Sequence, residues 1–354
     1  MKIQKTELAQ KLNKIKSVVP KKTTQTVLQG ILVKDGYLIA NNMEMTVKAK
    51  IEGTEGESES FIIPERAFDL INNLPEGEVE IVTSAKETIT IKADKIKNKY
   101  RTMKAELFPI PPEWEEGSEL SIESDILLKA MRHVSYAIPA QGNTPVMSSL
   151  CLQAAKGQLN FVGLDGHVLA WDKVDYDGEF ELLVPKNTVD KLKGIGLSGD
   201  VQIRHNKTGA VFVTEDFEVY TRVIEGEYFK YQSMIKKLPL HTVVSRMVLL
   251  DAMIRAKMCI EERCPVRFEL DGKTLGLSIK DSTTDYQETI ELQEEMEKSL
   301  TIGFDARLVL ETLKAFDCDN VGISLGGAKM PMIVEAEDSD FRAIVLPVSL
   351  GQTE

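Results

Sequence analysis

The chain has 354 residues, of which 43% are hydrophobic and 28% charged, with a net charge of −12. That apolar content supports packed cores and excludes wholesale disorder, and the length points to two or three domains. The acidic balance excludes a uniformly basic nucleic-acid binder. No run is long enough to span a bilayer, and Lys2 and Lys5 are followed by no apolar stretch, so the expectation is no signal peptide and a cytoplasmic location. The four cysteines, Cys151, Cys259, Cys264 and Cys318, form no C-x-x-C pair and are expected as free thiols in a reducing compartment. Without secretion, the acceptor pattern Asn206-Lys-Thr208 carries no weight.

In chain order, Leu8–Ile15 has helical apolar spacing and Val27–Val33 is β-rich. Ile63-Pro64 opens a helical stretch to Leu74. The Pro-rich run Phe108–Pro112, with acidic Glu113–Glu119 behind it, is expected as a linker. A helix follows at Leu127–Val134, then strands at Val146–Leu152 and Gln158–Val162. Leu183–His205 reads as a strand end, a helix with Pro185 at its first position, a turn and a new strand. Its turn, Gly194-Ile-Gly196-Leu-Ser-Gly199, matches the dinucleotide fingerprint G-x-G-x-x-G. The fingerprint works only where a strand ends and a helix begins, so that the helix N-terminus faces the pyrophosphate. Here the helix precedes the glycines, which are therefore a helix stop and a turn. A second linker is expected at Lys236–Thr242, then a helix at Leu249–Ala256, strands at Val266–Leu270 and Thr274–Ile279, and a helix at Val309–Phe316.

Three of these helices are copies of one another. Aligning Phe68, Val189 and Leu310 also aligns Ile71, Leu192 and Leu313, then Leu74, Ile195 and Phe316, and the acids Asp69, Asp190 and Glu311, at a period of about 121 residues. The stretches beginning Leu8, Leu127 and Leu249 repeat at nearly the same period, and Phe108-Pro109 and Tyr228-Phe229 close the first two units. The expectation is three copies of one domain, residues 1–119, 120–241 and 242–354, of α+β class, each mostly antiparallel sheet with two helices on one face.

Charge is sorted along this repeat. The six helical stretches together carry +9, leaving −21 for the sheets, loops and linkers. One basic helix is commonly just a solvated face. A bias summed over six helices favours a polyanion at that face, while the acidic remainder repels it elsewhere. With two Trp and no recognition-helix motif, the contact expected is to phosphates rather than bases.

Five segments carry a likeness to a known family. They are Ile63-Pro64 through Leu74-Pro75-Glu76-Gly77; Asp165-Gly166-His167-Val168-Leu169-Ala170; Val184-Pro185-Lys186; Tyr220–Tyr231; and Ile302-Gly303-Phe304-Asp305 with the ending Val345–Leu350. In their order, spacing and end-to-end coverage the chain resembles the β subunit of bacterial DNA polymerase III, the sliding-clamp family. The resemblance implies three clamp domains per subunit and two subunits closed head-to-tail into a ring. Sheets would lie outside and helices line the channel. The ring would encircle duplex DNA, nucleoid-associated in the cytoplasm, and tether the polymerase without a catalytic step or cofactor.

It also implies a pocket for a short peptide from the polymerase α subunit, the clamp loader and other clamp-binding proteins. The matching positions are Met147, Leu164, Gly166, His167, Val168, Leu169, Phe229, Ser233, Met234, Arg263, Asp305, Leu308 and Ile344, Val345, Leu346, Pro347, Val348, Ser349 and Leu350. Val168 and Ser349 stand where the family often has arginine, Phe229 replaces a proline, Arg263 takes a usually apolar place, and Gly351–Glu354 extend past the usual end. DNA-facing positions carried over are Lys22, Gln141 and Val146, the last at a place often aromatic; Lys11, Lys14, Lys186, Lys191, Lys193 and Arg255 join them on charge alone. At the ring interface, Tyr100 and Thr102 would meet Met258 and Cys259 of the other subunit.

Two other classes compete with this reading. One is a hydrolase using Asp165 and His167, although a His beside Asp in a turn is more often structural. The other is an interaction protein of the same fold that no longer loads on DNA. Asp317-Cys-Asp319 and Glu337-Asp-Ser-Asp340 lack calcium-loop spacing, and His133, His205 and His241 form no metal pattern, so no metal is expected.

Overall fold

A computed structural model describes residues 1–52, 60–84, 87–111, 117–260, 265–280 and 284–350. One series of elements occurs three times. The first copy is β1 (Lys2–Gln4), α1 (Lys5–Ile15), β2 (Gly30–Lys34), β3 (Tyr37–Asn41), β4 (Met45–Lys50), β5 (Phe61–Pro64), α2 (Phe68–Asn72), β6 (Glu78–Ser84), β7 (Thr88–Ala93) and β8 (Ile96–Arg101). The second is β9 (Ser118–Glu123), α3 (Ser124–Ser135), β10 (Ser149–Ala155), β11 (Gln158–Leu164), β12 (Val168–Asp175), β13 (Phe180–Pro185), α4 (Lys186–Ile195), β14 (Asp200–His205), β15 (Gly209–Val213) and β16 (Phe217–Arg222). The third is β17 (Leu240–Ser245), α5 (Arg246–Met258), β18 (Val266–Asp271), β19 (Thr274–Lys280), β20 (Asp285–Glu291), β21 (Leu300–Phe304), α6 (Ala306–Ala315), β22 (Asn320–Leu325), β23 (Met332–Glu335) and β24 (Arg342–Val345).

The chain forms two compact units, Met1–Leu128 with Asn187–Glu225, and Lys129–Lys186 with Gly226–Glu354. They cut across the repeat because each eight-stranded sheet joins one copy to the next. In the first unit the order is β5-β2-β3-β4-β16-β15-β14-β9, the join being β4 with β16; in the second it is β13-β10-β11-β12-β24-β23-β22-β17, joined at β12 and β24. A four-stranded sheet completes each unit, β1-β6-β7-β8 in the first and β20-β19-β18-β21 in the second. Every pairing among the described strands is antiparallel, both in the short-turn hairpins such as β7 with β8 and in the long-range joins of β1 with β6, β4 with β16 and β12 with β24.

Alternation is visible in β7 and β19, which bury every second residue. The helices bury a stripe at helical spacing: Leu8, Leu12 and Ile15 on α1, Val189, Leu192 and Ile195 on α4, Val309, Leu310 and Leu313 on α6. β11 is buried along nearly its whole length; Tyr228 donates to Val162 O at 3.4 Å and the Tyr231 ring lies 6.4 Å from Trp171 on β12.

Several expectations are corrected. Pro185 is the last residue of β13, paired with Ser149, and α4 begins one residue later. Its missing N–H costs nothing there because β13 is a sheet edge. Gly196 and Gly199 take φ of +67° and +71°, the left-handed turn that stops α4 before β14. Val27 and Val146 lie in 3-10 turns ahead of β2 and β10 rather than in strands. The start of the expected first linker is not loose chain, for Phe108 is buried against Val27, Leu28, Leu32, Ile39 and Ile62. Likewise Leu240–Thr242 already belongs to β17. Most of the acidic stretch after Phe108, residues 112–116, lies outside the described residues.

Candidate functional site

The peptide-pocket positions fall in the second compact unit. Asp165 lies between β11 and β12, and its Oδ1 accepts from His167 N and Val168 N at 2.8 Å each. The Asp165 carboxylate thus fixes the backbone of the turn, the structural role expected of an Asp beside a His. Gly166, at φ +89°, keeps the turn flat beneath the Met147 side chain, whose Cε is 4.0 Å from a Cβ built there. Past the turn, Val168 pairs with Val345 and Leu169 with Ile344. The tail then leaves the sheet: Leu346 N donates to His167 O at 2.8 Å and Val348 N to Gly303 O at 2.9 Å on β21. A Cβ on Gly303 would stand 2.8 Å from Val348 O and from the Leu350 side chain, so glycine is what allows the tail to lie this close. Asp305 caps α6 by accepting from Arg307 N at 2.8 Å and from the Arg307 Nη2 at 2.7 Å. The Arg307 guanidinium holds the Asp305 carboxyl below its ordinary value.

The result is an apolar surface with few polar groups. Leu164, Val168, Leu169, Ile344 and Val345 are buried beneath it, while Met147, Leu308, Leu346, Pro347, Val348 and Leu350 are partly exposed. Phe229 is 47% exposed and Met234 42%, at the ends of the segment that Tyr228 and Tyr231 anchor. Ser233 is exposed, its hydroxyl donating to Lys230 O at 2.9 Å, and Ser349 is exposed on the tail. Val168, where the resemblance led to an expectation of arginine, is buried. Arg263 lies outside the described residues, as do Gly351–Glu354.

The cations differ in what holds them. In the first unit Lys11 is paired with Asp216 and lies 5.0 Å from the Phe217 ring centre. Lys14 Nζ lies over Gly196 at the end of α4, and Lys191 Nζ donates to Ser17 O at 2.6 Å. Lysines at these helix ends meet the negative end of the backbone dipole. Lys193 is 3.0 Å from Asp190. Lys16, Lys21 and Lys22 are exposed; Lys16 and Lys21 contributed to the basic charge of the first helical stretch, and Lys11 differs from them by its ion pair with Asp216. In the second unit Gln141 is exposed, and Val146 and Lys186 are partly buried. Arg255 is bound to Glu288 through Nε at 3.0 Å and Nη2 at 2.5 Å.

Of the positions expected at a ring interface, Tyr100 lies on β8 and Thr102 just after it, and Met258 and Cys259 lie at the end of α5. β8 ends the first unit's small sheet, with Tyr100 under the Arg66 guanidinium at 5.8 Å and Thr102 Oγ1 donating to Ile62 O at 2.5 Å. Met258, at the last position of α5, is 79% exposed and Cys259 caps the helix.

One polar pair was not singled out in the sequence. His133 on α3 and Asp172 on β12 are buried, with Nδ1 2.6 Å from Oδ2, and the imidazole stacks on Phe341 at 4.4 Å. Only an expected α3 packed on an expected β12 would have suggested it.

Helix-covered antiparallel sheets, repeated three times and offering an apolar surface beside a backbone-bonded turn, define a binding scaffold. Models of the DNA polymerase III beta subunit match the chain over residues 1–112 and 118–225 (N-terminal domain) and 236–349 (C-terminal domain). A beta sliding clamp of Bacillus subtilis is 22% identical over 371 residues, covering 98% of each chain, and that of Halalkalibacterium halodurans 23% over 359 residues, covering 94% of each. Among solved structures, a DNA polymerase sliding clamp from Bacillus subtilis gives a TM-score of 0.91 at 21% identity over 98% of each chain. A Pseudomonas aeruginosa sliding clamp bound to griselimycin gives 0.93 at 21% identity over 99% of each. The chain belongs to the DNA polymerase III beta subunit family and has its non-catalytic role, that of a DNA sliding clamp.

Proposed function

We propose that two copies of this chain close head-to-tail into a ring around duplex DNA. Each copy contributes three domains, residues 1–119, 120–241 and 242–354. The observation that carries the ring is a pair of strands of opposite charge that each end a sheet among the described residues. β8 presents Lys97, Lys99 and Arg101, and β20, at the end of the second unit's small sheet, presents Asp285 and Glu291. An exposed edge is a template for another strand, and complementary charge selects which. The opposite edge of the β20 sheet is covered, since the tail donates to β21 through Val348 N. Tyr100 and Thr102 would then meet Met258 and Cys259.

Duplex DNA is held through phosphates, without base readout, by Lys22 and the surrounding lysines, with Gln141 and Val146 facing it. Partner proteins dock by a short apolar peptide on the surface from Met147 and Leu164–Leu169 to Phe229, Met234, Asp305, Leu308 and the Ile344–Leu350 tail. The polymerase α subunit and the clamp loader are the partners this reading names, and the bacterial cytoplasm, on the nucleoid, its place. No helix among the described residues is long and apolar enough to cross a membrane.

Two measurements test this. Native mass at micromolar concentration is expected to give a dimer; a monomer refutes the stable ring. On DNA, the loaded protein is expected to stay on a nicked circle and leave once the circle is cut. Equal retention on both forms refutes encirclement and favours a clamp-like interaction protein.

A further inference from the structure

Arg255 belongs, by charge, with the DNA-facing lysines, but its geometry is different. It lies in the last turn of α5 and grips Glu288 on β20 with two nitrogens, at 3.0 and 2.5 Å. Such a fork fixes both planes, which a lysine ammonium cannot do. Tyr286, two residues earlier on the same face of β20, donates its hydroxyl to the same carboxylate and lies 3.5 Å from Ala252 O on α5. Burial and the neighbouring Glu288 push the Tyr286 hydroxyl up to about 12, while Arg255 holds Glu288 below the ordinary carboxylate value. The three side chains join α5 to β20.

β20 needs such a tie. Among the described residues its backbone pairs with β19 on one side only, and its burial alternates so that Tyr286, Glu288 and Ile290 face α5 while Asp285, Gln287, Thr289 and Glu291 face away. A strand held on one side frays unless its inward face is anchored. Ile290 anchors one end by burial; Tyr286 and Glu288 anchor the rest through Arg255. Met258, one helical turn further on, and Cys259 stand next to this fork in sequence. A phosphate would have to displace a bidentate carboxylate to reach Arg255, whereas Lys16, Lys21 and Lys22 stand exposed.

We infer that Arg255 is a positioning residue of the ring-closing edge: through Glu288 and Tyr286 it holds β20 in the conformation that a β8 strand of a second copy pairs with. This rests on the ring reading above. The role is structural preorganisation, which lowers the ordering cost of association.

The test uses the full chain. The dimer dissociation constant is measured by analytical ultracentrifugation, retention on nicked circular DNA is measured against salt, and amide exchange is followed over residues 284–291. The ring reading stands or falls first, on whether the wild type is a dimer. Given a dimer, Arg255→Ala and Glu288→Gln are each expected to weaken it about tenfold and to speed exchange in β20. Arg255→Lys, which keeps the charge and loses the fork, falls between. The swap Arg255→Glu with Glu288→Arg recovers affinity to within about threefold, and the salt slope on DNA is unchanged in all. Two results overturn the inference. In one, Arg255→Ala leaves the dimer intact and lowers the salt slope by about one, the signature of a phosphate contact. In the other it tightens the dimer, which would mean that Arg255 only masks an acid that β8 attracts.

Discussion

His133 on α3 and Asp172 on β12 form a buried pair, Nδ1 to Oδ2 at 2.6 Å, with the imidazole Nε2 3.8 Å from Asp317 beyond α6. The ring stacks on Phe341, which in turn lies 4.4 Å from Phe316. The pair therefore ties the second copy of the repeat to the third within one compact unit. Removing one partner strands the other: Asp172→Ala is expected to cost about 3 kcal/mol in urea unfolding. Replacing both, as His133→Phe with Asp172→Leu, is expected to recover most of it, to within about 1 kcal/mol of wild type. Additive losses in the double variant would show that the two residues act independently.

The lysines separate by what already binds them. Lys22→Ala and Lys21→Ala are each expected to lower the salt slope of DNA retention by about one unit. Lys11→Ala is expected to leave it unchanged, because Asp216 already neutralises Lys11. A slope change for Lys11 equal to that for Lys22 would contradict this division.

Tail position is set by one glycine. In Gly303→Ala the new methyl meets Val348 O and Leu350 at 2.8 Å, so the tail must shift. Polymerase stimulation is expected to fall at least tenfold while the dimer persists, since that strand edge is not the one proposed to close the ring. Deleting Leu346–Glu354 should have the same effect in stronger form. Normal stimulation by either variant would rule out the tail as part of the partner surface.

Asp305 makes an acid-side prediction. Its folded pKa is lowered from 3.8 by Arg307 and by backbone donors at the α6 N-terminus. A lowered carboxylate contributes stability that is present above its unfolded value and is lost as pH falls through the folded one. Asp305→Asn is therefore expected to lower Tm at neutral pH and to converge on the wild-type curve once pH falls below the lowered folded value. A constant Tm difference down to that pH would mean that the charge is not involved.

The helices were legible because an apolar stripe at helical spacing is a local signal, strong in Leu8–Ile15 and Val309–Phe316. Their starts were less so. Pro185 suits a first helical turn and equally an edge strand, and pairing with Ser149 across the sheet settled it. Phe108 looked like linker because its neighbours are prolines; its burial depends on β2, β3 and β5. Among the site residues, the turn at Asp165–Val168 and the tail were legible as segments. Their meeting was not, since the Leu346–His167 bond joins segments about half the chain apart and the Val348–Gly303 bond joins the tail to a different strand.

The sequence by itself determined the threefold repeat, the α+β class, the basic bias of the helices and, through its five segments, the family. These are periodic or additive properties that survive without coordinates. Only the tertiary structure decided which charges are available. Lys11 and Lys22 are the same residue type in the same basic stretch, yet one meets Asp216, some two hundred residues away, and the other faces water. Arg255 likewise counted as one more positive charge until β20 folded against α5 and placed Glu288 within reach of both its nitrogens. An ion pair depends on distance between atoms, and that distance is set by packing.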